Sequence, residues 1–576
     1  MPNTDHDNPK RWLKSLGSVL PSEPNHPTRI ALRAYGLALT LSLGPALIPF
    51  VTKPLFSRGR KVISIAKFFD VLKRELRHDG FAFAITTAVA GGPVLRTLWK
   101  KALDAEERDD AAVVTEQNRQ RTYCQQSYSR LKALLKTLET ASNQMLFLTN
   151  ALATLVGFLL LRSGRERQQI ANRARSRRKV TGLHSFPTLD FTLFLVVRAL
   201  DAKVQGFIHD RFSTDPRPTD KPGDATLEST SQKALSSPNR ISKHARQLSM
   251  QVDAFAFWLC SSRIMWCYFY EPYRLPGSYV KWITALANVD DRLFEALRLI
   301  RAKKWSYISG SKEHSEMLQG FAKDLGYPAS WGDPALLPAY GGAAANEAWK
   351  SLGVTTRPGV GGIPCELVHA EFGKSMGLAS SCHANAALRG AKGFMQALAI
   401  YIPAHFIPVL LTRPGSLLQL SRVLQTTGAA LRSSAFLSTF LALYFYTVCF
   451  TRTMVLAKLL PFISHQFWDG PYGCLFAGSL ACGTSIWVEN GRRRGEMALY
   501  VLPRALRTCL PQNLSKKSLP FARLAESFAF VASMSVLLQA GSKRPDSLRG
   551  LSRWALDFVL NGRESGKGDT TAERGI

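Results

Sequence analysis

Arg162-Ser163-Gly164-Arg165-Glu166-Arg167 closes the apolar run Asn143–Leu161, and Asn490-Gly491-Arg492-Arg493-Arg494-Gly495 closes a second apolar run far downstream. The flanks of the two stretches agree in order. Ala31 to Pro54 ends Gly-Pro-Ala-Leu-Ile-Pro-Phe-Val-Thr-Lys-Pro, and Leu388 to Pro414 ends Ile-Pro-Ala-His-Phe-Ile-Pro-Val-Leu-Leu-Thr-Arg-Pro. Next come apolar runs ending Arg96-Thr97 and Arg452-Thr453, then Val197-Arg198-Ala199-Leu200 and Pro503-Arg504-Ala505-Leu506, then Phe255-Ala256-Phe257 and Phe528-Ala529-Phe530. Five landmarks in one order read as an internal duplication of apolar segments, a plan common among membrane proteins. The expected fold is all-α: a polytopic membrane protein of two related helical bundles.

Mean hydropathy is only −0.05, but the average conceals segregation. Candidate spans in the first copy are Ala31–Val51, Gly80–Trp99, Asn143–Leu161, Phe186–Leu200 and Asp253–Tyr270. In the second they are Gly393–Leu411, Ser434–Leu456, Gly473–Val488, Glu496–Leu510 and Leu524–Gln539. Most approach the ~20 residues that cross about 30 Å of hydrocarbon. The expected division is a polar tail over 1–28, a first membrane repeat over 29–305, and a Gly/Pro/Ala-rich linker over 306–363. A Cys-rich segment over 364–391, a second repeat over 392–561 and a polar tail over 562–576 complete it. Ala102–Glu139 reads as a solvent-facing helix, Phe212–Asn239 as a flexible loop, and Tyr279–Trp305 as an amphipathic element along the membrane surface.

The formal net charge is +32. Its basic residues gather in short connectors, Lys53–His78, Arg162–Lys179, Arg492–Arg494 and Lys543–Arg553. That distribution suits loops beside anionic headgroups, and no recognition motif points to nucleic acid. The bilayer and its headgroups are the expected partners, and homo-oligomerisation stays open. The basic connectors leave parallel and inverted repeats equally open. No phosphate loop, dinucleotide fingerprint, nucleophile elbow or His-Glu-x-x-His motif occurs, so no catalytic residue is assigned.

Pro364-Cys365-Glu366-Leu367-Val368-His369, closing at Ser381-Cys382, resembles the Cys-rich segment of the transmembrane protein 135 family. Ala397-Leu398-Ala399-Ile400-Tyr401 is similar to that family's first span, and Ser434-Ala435-Phe436-Leu437 through Arg452 to its second. Val488-Glu489 with Arg493-Arg494-Gly495 and Leu499-Tyr500 is similar to its basic loop. The resemblance covers roughly residues 365–507, with a distant likeness to glycine-rich spans of mitochondrial protein translocases. It implies a multi-pass protein of mitochondrial or peroxisomal membranes, tied to lipid handling and organelle dynamics.

Three function classes follow: movement or organisation of lipid or a hydrophobic metabolite, a scaffold for organelle shape or division, and a membrane-embedded lipid enzyme. Cys365, His369, Cys382 and His383 carry ligand types suited to tetrahedral zinc. A Cys365–Cys382 disulfide and a simply packed cap are the other readings of that segment, so zinc is no firm cofactor. Arg96, Arg452, Arg198 and Arg504 end apolar runs at matching places, with Asp190 and Glu489 as candidate partners; snorkelling to headgroups is the plain alternative. His405 lies between Pro403 and Pro408, as Pro45 and Pro49 interrupt the first copy. Paired broken spans point to a midplane site, and a packing kink is the plain alternative.

Overall fold

The computed structural model describes residues 21–56, 69–112, 142–175, 186–212, 243–511 and 519–562, apart from a few single or paired positions within those ranges. Among them every regular element is helical. The chain runs through α1 (Pro27–Phe56), α2 (Phe81–Ala112), α3 (Ser142–Arg175) and α4 (Leu189–Phe212). Then follow α5 (Lys243–Tyr270), α6 (Gly277–Ala287), α7 (Asp291–Arg301), α8 (Ser315–Asp324), α9 (Ala343–Ser351) and α10 (Cys365–His369). Then come α11 (Cys382–Thr412), α12 (Leu420–Cys449), α13 (Cys474–Cys482), α14 (Gly491–Cys509), α15 (Leu519–Lys543) and α16 (Gly550–Asn561), with single helical turns at Leu456–Leu459 and His465–Trp468 between α12 and α13. All ten expected spans fall on helices. Among the described residues, four helical stretches are long and apolar enough to cross a membrane: Phe81–Lys101, Gln144–Ala171, Leu420–Leu459 and Leu519–Lys543.

The chain divides into two compact units, 1–242 with 511–576, and 243–510. This is not the division at 305 expected from the sequence. α15, from the second half, belongs to the first unit: Phe530 packs on Phe158 at 4.6 Å and on Phe191 at 5.8 Å between ring centroids. α5, from the first half, belongs to the second unit, where Phe257 meets Phe436 edge-on at 5.6 Å. Helix packing selects partners by surface shape rather than by chain order, and nothing in a local apolar pattern reveals that choice.

Small residues set the spacing in both units. A Cβ on Gly157 would stand 2.6 Å from the Ala84 carbonyl oxygen and 2.8 Å from the Ala88 methyl, and one on Gly91 2.8 Å from that of Ala153. In the second unit the approach is closer than ordinary contact but less tight, a Cβ on Gly478 standing 3.0 Å from Val448 and 3.1 Å from the Tyr444 carbonyl oxygen. Close backbone approach of this kind is how helices pack when lipid tails supply no hydrophobic contrast.

Several expectations are corrected. Arg162–Arg167 is no loop: it continues α3, with Gly164 seated on the backbone of Asp79 and Arg167 paired to the Asp79 carboxylate at 2.7 Å. Asn490 does begin an element, its side chain capping α14 by accepting from the Arg492 amide. Pro45, Pro49, Pro403 and Pro408 do not break their helices, since α1 and α11 run through them. Neighbouring groups in a span can absorb the lost amide.

The segment expected as a linker, 306–363, is folded. Tyr307, Leu318, Phe321, Leu325, Trp331, Ala345, Trp349 and Val354 are buried in one cluster with Leu293 and Ile300. Its glycines serve as turns: Gly342, Gly353, Gly359 and Gly362 hold positive φ, where a side chain is strained. The supposed surface element Tyr279–Trp305 is two helices, α6 and α7, and Trp305 is sealed in the core. The Phe212–Asn239 insertion beyond Phe212, and the greater part of both tails, lie outside the described residues. So does Ala102–Glu139 beyond Ala112, up to which α2 continues.

Candidate functional site

Pro364 precedes the single turn of α10, which sets Cys365 and His369 four residues apart on one face. Ala370 then adopts a φ of 55°, and Gly373 and Gly377 are also left-handed, so the chain doubles back to Cys382, the first residue of α11. The Cys365 sulfur, the Cys382 sulfur and a His369 ring nitrogen lie within 4.8 Å of one another, all buried. His383 points elsewhere: it is exposed, with its ring 5.6 Å from that of Tyr446. Cys449, at the end of α12, takes the place expected of it. Its sulfur is 3.4 Å from His369 Nε2 and joins the cluster of Cys365 and Cys382. Cys365 and Cys382 are separate thiols, 3.9 Å apart, and not a disulfide.

Three further groups hold the cluster. His369 Nδ1 faces the Ala379 carbonyl oxygen at 2.6 Å, which places the proton there and leaves the Nε2 lone pair toward the sulfurs. Arg357 donates to the Cys365 sulfur at 3.2 Å and to Thr453 at 3.2 Å, and also to the Gly361 carbonyl. Arg389 is clamped between the rings of Phe372 and Phe445, each 4.0 Å from its guanidinium carbon, and donates to the carbonyls of Ala287 and His369. The contact with Cys382, together with burial, pushes the Cys365 thiol up to about 12. Cys365 pulls the Cys382 thiol down, but Cys449 and burial prevail and push it up to about 12. Burial holds His369 below its ordinary value, so its ring is neutral.

A second feature lies in the same unit. A cavity of about 430 Å³ is lined by Phe257, Met265, Phe269, Trp282, Phe436 and Tyr444, with Arg492, Arg493 and Glu496 also on its wall. Ligand pockets fall in the range of roughly 300–1,000 Å³, mostly apolar with a few placed polar groups. Arg492 is exposed, while Arg493 donates to His405 Nε2 at 2.7 Å and to Ser433 at 2.7 Å. His405 Nδ1 in turn donates to the Tyr401 carbonyl at 2.8 Å. His405 thus braces a cavity arginine.

The remaining arginines separate. Arg452 is sealed against Asp469, a residue that sequence reasoning did not single out. Arg96 donates to Thr149 and Asn150, both at 3.2 Å. Arg198 lies over Phe194 at 5.4 Å, and Arg504 over Tyr500 at 3.8 Å, each on the ring four residues earlier. Glu489 is buried and accepts from Ser433 at 2.8 Å, whereas Asp190 is exposed. Cys449, Arg357 and Arg389 were also missed, and only tertiary contact marks them. Their separations in sequence exceed any local spacing motif.

No family model, curated protein or solved structure matches this chain. Among the described residues the geometry defines an all-helical architecture with four helices able by length and apolarity to cross a membrane, a buried Cys/His cluster, and an apolar cavity with arginines on its wall.

Proposed function

We propose that this chain is a multi-pass protein of mitochondrial or peroxisomal membranes that binds, and moves or organises, a lipid with an anionic headgroup. The observation that carries the reading is the cavity between α5, α6, α12 and α14. Its aromatic lining suits an acyl chain, and Arg492 and Arg493 suit a phosphate or carboxylate. We read the fold as two related bundles that exchange their fifth helices. Support comes from the matched aromatic contacts of Phe257 and Phe530, and from the matched stacking of Arg198 and Arg504.

The test has two parts. A tagged chain should resist alkaline extraction from mitochondria or peroxisomes; release as a soluble protein overturns the membrane reading. The chain purified in mild detergent should carry co-purifying anionic lipid, and Leu286→Trp, which fills the cavity, should lose it while staying folded. Equal lipid content in the two proteins overturns the cavity reading and favours the scaffold alternative.

A further inference from the structure

We infer that Cys365, His369, Cys382 and Cys449 form a structural zinc site of three thiolates and one imidazole, fastening α10 and the start of α11 to the end of α12. The inference does not depend on the lipid reading.

Zinc bonds of about 2.3 Å to sulfur and 2.0–2.1 Å to nitrogen, at tetrahedral angles, require sulfur–sulfur edges near ~3.8 Å and sulfur–nitrogen edges near ~3.6 Å. The Cys365–Cys382 edge is 3.9 Å and the His369–Cys449 edge is 3.4 Å. The remaining edges among Cys365, His369 and Cys382 lie within 4.8 Å, while Cys449 falls outside that mutual limit, so metal binding draws its sulfur inward from its contact with His369. Histidine metal ligands donate their other ring nitrogen to a carbonyl or carboxylate, and His369 Nδ1 at the Ala379 carbonyl meets that rule.

Charge also balances. Binding releases three thiol protons, so zinc with three thiolates and a neutral imidazole carries one net negative charge. Arg357, buried and donating to the Cys365 sulfur, supplies the compensating positive charge. All four ligands are buried, which leaves no open position for a substrate and marks a structural rather than catalytic site. Cys365 and His369 are held by one turn, while Cys449 lies 80 residues beyond His369, so occupancy joins distant parts of the second unit.

The test uses the full chain purified in detergent, with reductant and without chelator. Expected are one zinc per chain and, after exchange to cobalt, sulfur-to-metal charge-transfer bands with tetrahedral ligand-field absorption. Cys449→Ser should lower the charge-transfer intensity by about a third, one thiolate in three, and His383→Ala should leave it unchanged. Should Cys449→Ser fail to accumulate, X-ray absorption of the unaltered protein reads the ligand set directly as three sulfurs and one nitrogen. A fully reduced protein without metal that develops no cobalt bands overturns the site. So does a Cys365–Cys382 disulfide in protein freshly isolated under thiol-blocking conditions. A spectrum that depends on His383 and not on Cys449 overturns the ligand assignment.

Discussion

Arg452 and Asp469 form a two-toothed ion pair closed to solvent, with Nε 2.6 Å from Oδ1 and the second terminal nitrogen 3.1 Å from Oδ2. Tyr307 donates a third bond to Asp469 at 2.5 Å. The pair joins the π-helical turn Phe450–Met454 after α12 to the loop before α13. Removing one partner strands a buried charge, so Asp469→Asn should cost about 3–5 kcal/mol, whereas Arg452→Met with Asp469→Leu should recover much of it. Thermal unfolding of the purified variants measures this. A functional defect in Arg452 variants that tracks their unfolding is structural, not evidence of a transport pathway.

His465 predicts a pH dependence. It is fully buried, and burial holds its pKa well below the ordinary value; Asp469 opposes that shift, while Arg357 and Arg452 add to it. Tyr307 packs its ring edge-on at 6.4 Å. The folded state therefore binds fewer protons here than the unfolded state once pH drops below about 6.5. Stability should fall from that point downward, and His465→Gln should flatten the decline between pH 6.5 and 5. An unchanged slope in melting temperature against pH would assign the decline to other groups.

The α2–α3 contact tolerates no side chain at Gly157. Gly157→Ala places a methyl against the Ala84 carbonyl and the Ala88 methyl, and should cost about 1–3 kcal/mol through overpacking. Gly36→Ala, where the added carbon meets nothing within 4 Å, is the control and should be neutral or slightly stabilising. Denaturation in detergent distinguishes the two.

Arg492 is the exposed cation of the cavity wall. A basic group near an anionic surface contributes roughly 1 kcal/mol, so Arg492→Gln should weaken binding of anionic lipid vesicles about fivefold, with little change for zwitterionic ones. Flotation with the two vesicle compositions reads the difference. Equal loss for both would indicate damage to the fold instead.

Much of the helical pattern was legible from apolar run length, because a run of suitable length closes its own backbone hydrogen bonds wherever it packs. Three of the four residues of the Cys/His cluster, Cys365, His369 and Cys382, were named from the sequence, the first two because they share one turn. His383 was misassigned because adjacency in sequence was taken for adjacency in space: the first turn of α11 sends successive side chains around the helix, and only Cys382 faces inward. The stretch 306–363 was misread because its glycines and prolines also suit flexible chain, and the spaced Leu318, Phe321 and Trp349 that make it a core show their meaning only once packed.

By itself the amino-acid sequence determined most of the helices and the small residues that permit close packing, which depend on neighbours within a few positions. Tertiary structure alone decided that α5 and α15 belong to the units they do, that Asp469 answers Arg452, and that Cys449 completes the thiol cluster. Each of those depends on surface complementarity between segments far apart in the chain, and local periodicity carries no information about which surfaces will meet.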